Sequence, residues 1–335
     1  MKSLPYIAGL ILALVAFPSA HAEDFAPGGR TLLDAHNCYP YDGEYADRID
    51  RALATGTPVA LEQDLVWYKD EASSQYISRV SHGKPFSGEE PTIEAHFFER
   101  IRPIMEQALK DGNQGDWPLV TLNVDYKNSD LAHVEENYRV FSQYADWMCY
   151  ALKTDTPEVA EDLVAGPLLV LLGAGDVKRE VFHDRVPTGG KIIAFGAVTR
   201  NQVNKKDLSR KESLELDATI DPALLYDVPA SNYYRWWNDS WYRIEAGGAS
   251  RAQDWTKKDN KRLKAVVNHA HKLGYWLRLY TLNGHTREES QGWFGNYNFH
   301  SLENAQLRWK ACMKTGVDFV ATDMYEAFNK TQGNE

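Results

Sequence analysis

The 335-residue sequence predicts an α/β fold, a single (β/α)8 TIM barrel. Two observations predict it. Short apolar runs alternate with amphipathic stretches along most of the chain, as parallel β/α architecture requires. Eight such runs stand at 31–35, 59–66, 76–80, 119–126, 167–172, 191–197, 275–282 and 317–322, the number a closed barrel needs. Helical patterning fills the gaps at 43–54, 94–110, 131–152, 252–272 and 302–314. Gly274 follows Lys272 as a helix-stopping glycine should. His269, His271 and Lys272 suit the negative end of that helix and read as surface residues.

The first residues read as a bacterial signal peptide over 1–22. Lys2 is the positive start, Ile7 to Phe17 is an unbroken apolar run, and Ala20-His21-Ala22 is a small-x-small cleavage pattern. The run is too short to span a bilayer, and no later segment is long enough. A secreted or periplasmic protein is expected, with residues 23–335 as one barrel domain. Without residues 1–22, which carry Lys2 and no acid, 36 basic side chains face 47 acidic ones, a formal charge of −11. That balance argues against a nucleic-acid backbone or an anionic membrane surface as the main partner. One small anionic substrate in a locally positive or metal-bearing cavity stays compatible with it.

Cys38, Cys149 and Cys312 are too few for a disulfide scaffold and lack zinc-site spacing. A single bridge, for example Cys149 with Cys312, is left open. The segment at about 199–250 reads as an insertion. A charged stretch from Lys205 to Glu215 precedes the aromatic run Tyr233-Tyr234-Arg235-Trp236-Trp237 and then Trp241. Packing on the barrel is the favoured role for most of these rings; a lid touching a sugar or lipid headgroup is the other.

In a parallel barrel, catalytic groups project from the C-terminal strand ends, and residues i and i+2 share a face. His36 stands at the end of the first strand. Glu62 and Asp64 share a face of the second with the small Ala60. Thr121, Asn123, Asp125 and Lys127 share a face of the fourth. Buried parallel strands usually read as apolar runs, so carboxylates at i and i+2 need a cation or dense hydrogen bonding. Three acids aimed at one axis suit one hard divalent cation, Mg2+ or Ca2+. The simpler alternative is that Glu62 pairs with an arginine or lysine and Asp125 with Lys127. His82, before Gly83, is a second acid–base candidate beside His36, because histidine titrates near neutral pH. Lys127 can add positive charge to phosphoryl oxygens.

These residues resemble the superfamily of phosphatidylinositol-specific phospholipase C, glycerophosphodiester phosphodiesterase and sphingomyelinase D. His36-Asn37 is similar to the His-Asn opening of the phospholipase C branch, Glu62-x-Asp64 to the paired metal acids, and His82-Gly83 to the second catalytic histidine. Asp125-x-Lys127 resembles the acid-x-lysine motif of the other two branches. Tyr280-Thr281-Leu282-Asn283 is similar to the Trp-Thr-Val-Asn near strand seven, and 316–323 to the closing strand. The mixture leaves the branch open, and the spacer from Asp64 to His82 is long for the pattern, with an irregular stretch from Lys69 to Gln75.

The resemblance implies a metal-dependent phosphoric diester hydrolase. His36, His82 and Lys127 would be catalytic; Asn37, Glu62, Asp64 and Asp125 would hold the cation; Arg278, Tyr280 and Asn283 would bind substrate. The partner would be a small phosphodiester or phospholipid headgroup. In the implied mechanism, His36 deprotonates a hydroxyl next to the phosphodiester, that hydroxyl attacks phosphorus, and His82 protonates the leaving oxygen, giving a cyclic phosphate. A glycoside hydrolase is the first rival, suggested by ten tryptophans, although such enzymes need carboxyls on opposite sides of the scissile bond. A non-catalytic headgroup-binding barrel is the second. The loop 283–296 falls on the expected catalytic face, either to shape substrate choice or as an ordinary glycine-rich connection.

Overall fold

The computed structural model describes residues 26–41, 44–70, 73–112, 117–289 and 295–333. The expected signal segment 1–22 lies outside these residues, as do Gly43 and 292–294. The strands are β1 (Leu32–Ala35), β2 (Val59–Lys69), β3 (Tyr76–Val80), β4 (Val120–Tyr126), β5 (Ala151–Leu152), β6 (Leu168–Leu172), β7 (Lys191–Ile192), β8 (Phe195–Ala197), β9 (Tyr234–Ser240), β10 (Trp276–Tyr280) and β11 (Phe319–Thr322). Eight of them pair in parallel in the order β1-β2-β4-β6-β8-β9-β10-β11, and β11 pairs back onto β1. The sheet therefore closes, and the fold is a (β/α)8 barrel.

Helices cover the outside: α1 (Arg48–Ala54), α2 (Glu99–Asp111), α3 (Leu131–Ser142), α4 (Asp176–Arg179), α5 (Arg210–Thr219), α6 (Pro222–Leu225), α7 (Lys257–Lys272), α8 (Leu302–Thr315) and α9 (Tyr325–Gln332). Local chemistry sets their ends. Thr256 and Asp259 form a reciprocal capping box at the start of α7. The buried stripe of α7 is Leu263, Val266, Val267 and Ala270, a helical spacing aimed at the barrel. Gly316 ends α8 in the left-handed conformation that glycine adopts at least cost. Among the described residues, no helix is long and apolar enough to cross a membrane.

Two expectations exchange places. The run at 76–80 is not a barrel strand. It pairs antiparallel with the far half of β2, from Leu65 opposite Val80 to Lys69 opposite Tyr76. This hairpin accounts for the long spacer between Asp64 and His82. The missing barrel strand is β9, inside the segment expected to be an insertion. It pairs with β8 on one side and with β10 on the other. Its apolar mass is tryptophan rather than Val, Ile or Leu. Trp236 and Trp237 are fully buried. The Trp236 ring nitrogen donates to the Leu172 carbonyl at 3.0 Å. Trp237 packs outward on Tyr226 and on His269 of α7. These rings and Trp241 are packing residues, not a sugar-contacting lid.

Smaller differences follow from tertiary contacts. The helix expected to run to 152 stops at Ser142, and the chain turns so that Trp147 and Cys149 are buried. His269 and His271 are half-buried: one bonds the Tyr226 carbonyl at 2.7 Å, the other the Asp318 carboxylate at 2.9 Å. All three cysteines are buried and free, so Cys149 and Cys312 form no bridge.

Because Trp237 joins a barrel strand to its covering helix, Trp237→Ala should cost about 3–5 kcal/mol. Urea unfolding followed by fluorescence measures this. A loss below about 1 kcal/mol would mean that the 234–240 segment is not part of the cooperative barrel.

Candidate active site

The C-terminal ends of the strands open on one mouth, and a cavity of about 240 Å³ lies there. Alternation along each strand decides what enters it. Glu62 and Asp64 project from β2, Asn123 and Asp125 from β4, Asn238 from β9, and Arg278 and Tyr280 from β10. Register places Glu62 beside Asn123 and Asp64 beside Asp125. His36, Asn37, His82 and Lys127 line the same cavity, as do Gly173 and Tyr297; of the expected residues Asn283 alone is not among its lining.

Arg278 organises the floor. Its Nε donates to Asp34, its Nη2 to Glu62 Oε1 at 3.1 Å, and its Nη1 to Asn238 Oδ1 at 3.1 Å. Asn123 donates to the same Asp34 carboxylate at 3.3 Å. The bonds to Asp34 and Glu62 join strands that are not neighbours, so they pass through the barrel interior, whereas Asn238 is the register partner of Arg278 on the adjacent β9. Arg278 is only 2% exposed. Burial works against its charge, but Asp34 and Glu62 outweigh it and hold the guanidinium firmly protonated. Arg278, expected to contact substrate, lines the cavity with three of its five N–H donors already bonded to protein groups.

His36 lies between two carboxylates. Its Nδ1 is 3.2 Å from Asp323 Oδ1 and its Nε2 is 3.4 Å from Glu62 Oε2. Burial alone would lower its pKa; Glu62 and Asp323 reverse that and raise it. Asp323 is itself braced. Arg48 Nη1 donates to it at 3.1 Å, Asn37 Nδ2 at 2.8 Å, and Asn283 Nδ2 donates to its other oxygen. Burial opposes the Asp323 charge, yet His36, Arg48 and Asn37 hold its carboxyl well below the usual range.

Two expected site residues therefore brace the histidine and its carboxylates, Asn37 from the cavity wall and Asn283 from outside it. Asn37 accepts from the Tyr39 hydroxyl and donates to Asp323, while its backbone N–H donates to Glu62 at 3.0 Å. It enters the site as a brace. Asn283 is buried against Asp323 and Thr322 and does not line the cavity, so it orients Asp323 rather than meeting a ligand there.

Lys127 bridges Asp64 and Asp125, with Nζ 2.7 Å from each carboxylate. Burial pushes the Asp64 pKa up to about 8 despite Lys127, and the nearby Glu62 and Asp125 add to the rise. His82 follows the β3 return strand, where Ser81 N–H still bonds the Asp64 carbonyl at 3.0 Å. That ladder carries the imidazole to the mouth. Burial lowers the His82 pKa, and the Lys127 charge lowers it further.

The acids that the sequence suggests as cation ligands have a chemistry that fits a hard cation. Asp64 Oδ1 is buried without a well-formed hydrogen bond, although the Tyr39 hydroxyl stands beside the carboxylate. A buried carboxylate in that state is relieved by a cation. The cage is not preformed: among the described residues, no three His, Cys, Asp or Glu side chains stand at metal-holding spacing. Lys127 lies between Asp64 and Asp125, and Glu62 is taken by Arg278 and His36.

Sequence reasoning missed Asp34, Arg48, Asn238, Tyr297 and Asp323. Asp34 shares the alternation that exposed Glu62 and Asp64, so a signal was present. Asp323 lies just past the closing strand, in a segment noted without its role. Arg48 and Tyr297 carry no local pattern; only the barrel brings α1 and the loop after β10 to His36.

No protein-family model and no curated protein sequence matches the chain. Among solved structures, a glycerophosphoryl diester phosphodiesterase from Parabacteroides distasonis is similar over 94% of this chain and 89% of its own, at 11% identity and a TM-score of 0.44. A calcium-dependent phosphoinositol-specific phospholipase C from a Pseudomonas species is similar over 90% of this chain and 92% of its own, at 15% identity and a TM-score of 0.43. The Plasmodium falciparum HPPK-DHPS protein is similar over 92% of this chain but 47% of its own, at 9% identity and a TM-score of 0.41. Identities this low and superpositions this loose leave the chemistry of the site to its own geometry.

Asp323→Asn should lower the His36 pKa, because it removes a carboxylate that favours the imidazolium. It should also cost about 3–5 kcal/mol of stability, since Arg48 loses its buried partner. NMR titration of the histidines and urea unfolding read the two effects; an unmoved His36 titration would contradict the orienting role of Asp323.

Proposed function

We propose that the protein is an exported, metal-assisted phosphoric diester hydrolase acting on a glycerophosphodiester, phosphoinositide or lysophospholipid-type substrate. One observation carries this reading: two histidines line one cavity in opposite electrostatic settings, over a floor of carboxylates and Lys127. Acid–base catalysis at phosphorus needs one group that takes a proton and one that gives it.

His36 is the base of the pair. Asp323 fixes its ring through Nδ1, and the two flanking carboxylates stabilise the imidazolium formed when Nε2 takes a hydroxyl proton. The deprotonated hydroxyl, next to the phosphodiester on the substrate, attacks phosphorus. In the reactive form His36 is neutral and His82 carries the proton; His82 gives that proton to the departing oxygen, and the Lys127 charge beside it favours the release. The Lys127 ammonium faces a nonbridging phosphoryl oxygen and stabilises the charge that builds there. A cyclic phosphate results, and water opens it with the histidine roles reversed. Glu62, Asp64 and Asp125 would hold Mg2+ or Ca2+, which would supply further positive charge to the phosphoryl group. With that charge supplied to Asp64 and Asp125, the Lys127 ammonium would be free to face substrate.

The first test is phosphorus NMR of a phosphodiester panel with and without a chelator. His36→Ala and His82→Ala should each reduce turnover at least about hundredfold without unfolding the protein. Near wild-type rates in either variant would remove that histidine from the mechanism.

The cation has its own readout, independent of turnover. With its pKa raised to about 8, the folded Asp64 keeps a proton that the unfolded chain loses near 3.8. Cation-free stability should therefore fall as pH rises between those values. Millimolar Mg2+ or Ca2+ should raise the melting temperature at pH 8 in the wild type and not in Asp64→Asn. An equal shift in both would rule out Asp64 as a ligand.

A further inference from the structure

Lys178, on α4 five residues after the cavity-lining Gly173, has no role in the chemistry above. It is only 5% exposed. No carboxylate among the described residues stands at ion-pair distance from it. Its hydrogen bond is a long one, 3.4 Å from Nζ to Ser129 Oγ, and the ammonium lies 5.5 Å from the centre of the Tyr126 ring. Burial lowers its pKa, and the field of Asp125 restores only part of the loss. The other lysine near Asp125, Lys127, is already shared by two carboxylates.

A desolvated ammonium without a counter-charge is costly. The backbone nevertheless makes room for it. Gly175 has φ +149°, and a Cβ there would come within 3.1 Å of Lys178 Cε and Nζ. Ser129 belongs to the loop after β4 and Gly175 to the loop after β6, so the ammonium lies between neighbouring strand ends on the catalytic face. The scissile phosphoryl group is handled by Lys127 and the histidines. What Lys178 lacks is an anion of its own.

We propose that Lys178, with the Ser129 hydroxyl, binds a second anionic oxygen group on the substrate headgroup, a phosphomonoester or a carboxylate, and so selects charged headgroups over neutral ones. This rests on the phosphodiesterase reading and deepens it.

Three substrates that differ only at the headgroup end test it: glycerophosphoglycerol, its terminal phosphomonoester and its glycerate analogue. Lys178→Met should lower kcat/KM for an anionic substrate at least about tenfold more than for the neutral one. Lys178→Arg should recover most of that loss. Loss confined to the phosphomonoester identifies a phosphate site, and loss confined to the glycerate a carboxylate site. An equal change on all three substrates overturns the inference. If the wild type cleaves none of them, the phosphodiesterase reading fails on this panel, and inorganic phosphate then decides the Lys178 site by itself. A saturable phosphate-dependent shift of the Lys178 Cε resonance, assigned by its absence from Lys178→Met, supports an anion site; no shift overturns it.

Discussion

The buried charge of Arg278 is the constraint on which the mouth of this barrel depends. Asp34 and Glu62 project into a space from which water is largely excluded, and two carboxylates there would repel each other at high cost. The guanidinium between them offsets part of that cost, although burial still raises the Asp34 pKa, and it spans three strand positions through Asp34, Glu62 and Asn238. With Glu62 kept ionised, His36 has an anion on its Nε2 side. With Asp323 kept ionised by Arg48 and Asn37, it has another on its Nδ1 side. The basicity of His36 is thus a property of the whole strand-end network.

The other half of the site is organised more loosely. Asp64, Asp125 and Lys127 carry one cation against two acids, and Asp64 is left close to its titration range at neutral pH. Such an arrangement accepts added positive charge more readily than the Arg278 side, where Glu62 is already paired. His82 reaches this half from the hairpin formed by the end of β2 and β3, outside the closed sheet. One histidine is therefore held by buried ion pairs, and the other is half-buried on an excursion. That difference in support is also the difference in their electrostatic settings.

The barrel itself shows how a correct total can conceal two local errors. Eight strands were legible, but 76–80 is a hairpin return and 234–240 is the strand that closes the gap. Periodicity sees both as short extended runs and cannot tell an antiparallel partner from a parallel barrel strand. Aromatic mass hides β9, because buried tryptophans next to Asn238, Asp239 and Ser240 look like a surface segment until the covering helix is in place. Likewise Asn37 and Asn283 carry polar side chains at the expected positions, but whether such a group faces the cavity or a neighbouring acid depends on rotamer and packing.

By itself the sequence determined the fold class and most of the site: alternation on β2 and β4 aims Glu62, Asp64, Asn123 and Asp125 inward whatever surrounds them. It placed His36 at a strand end for the same reason. Tertiary structure alone decided which charges neutralise which. Arg278 reaches Asp34, 244 positions away in sequence, and Arg48 reaches Asp323 across 275. Pairing at such separations leaves no local pattern, because it is set by closure of the sheet and by the desolvation that closure imposes on every charge inside it.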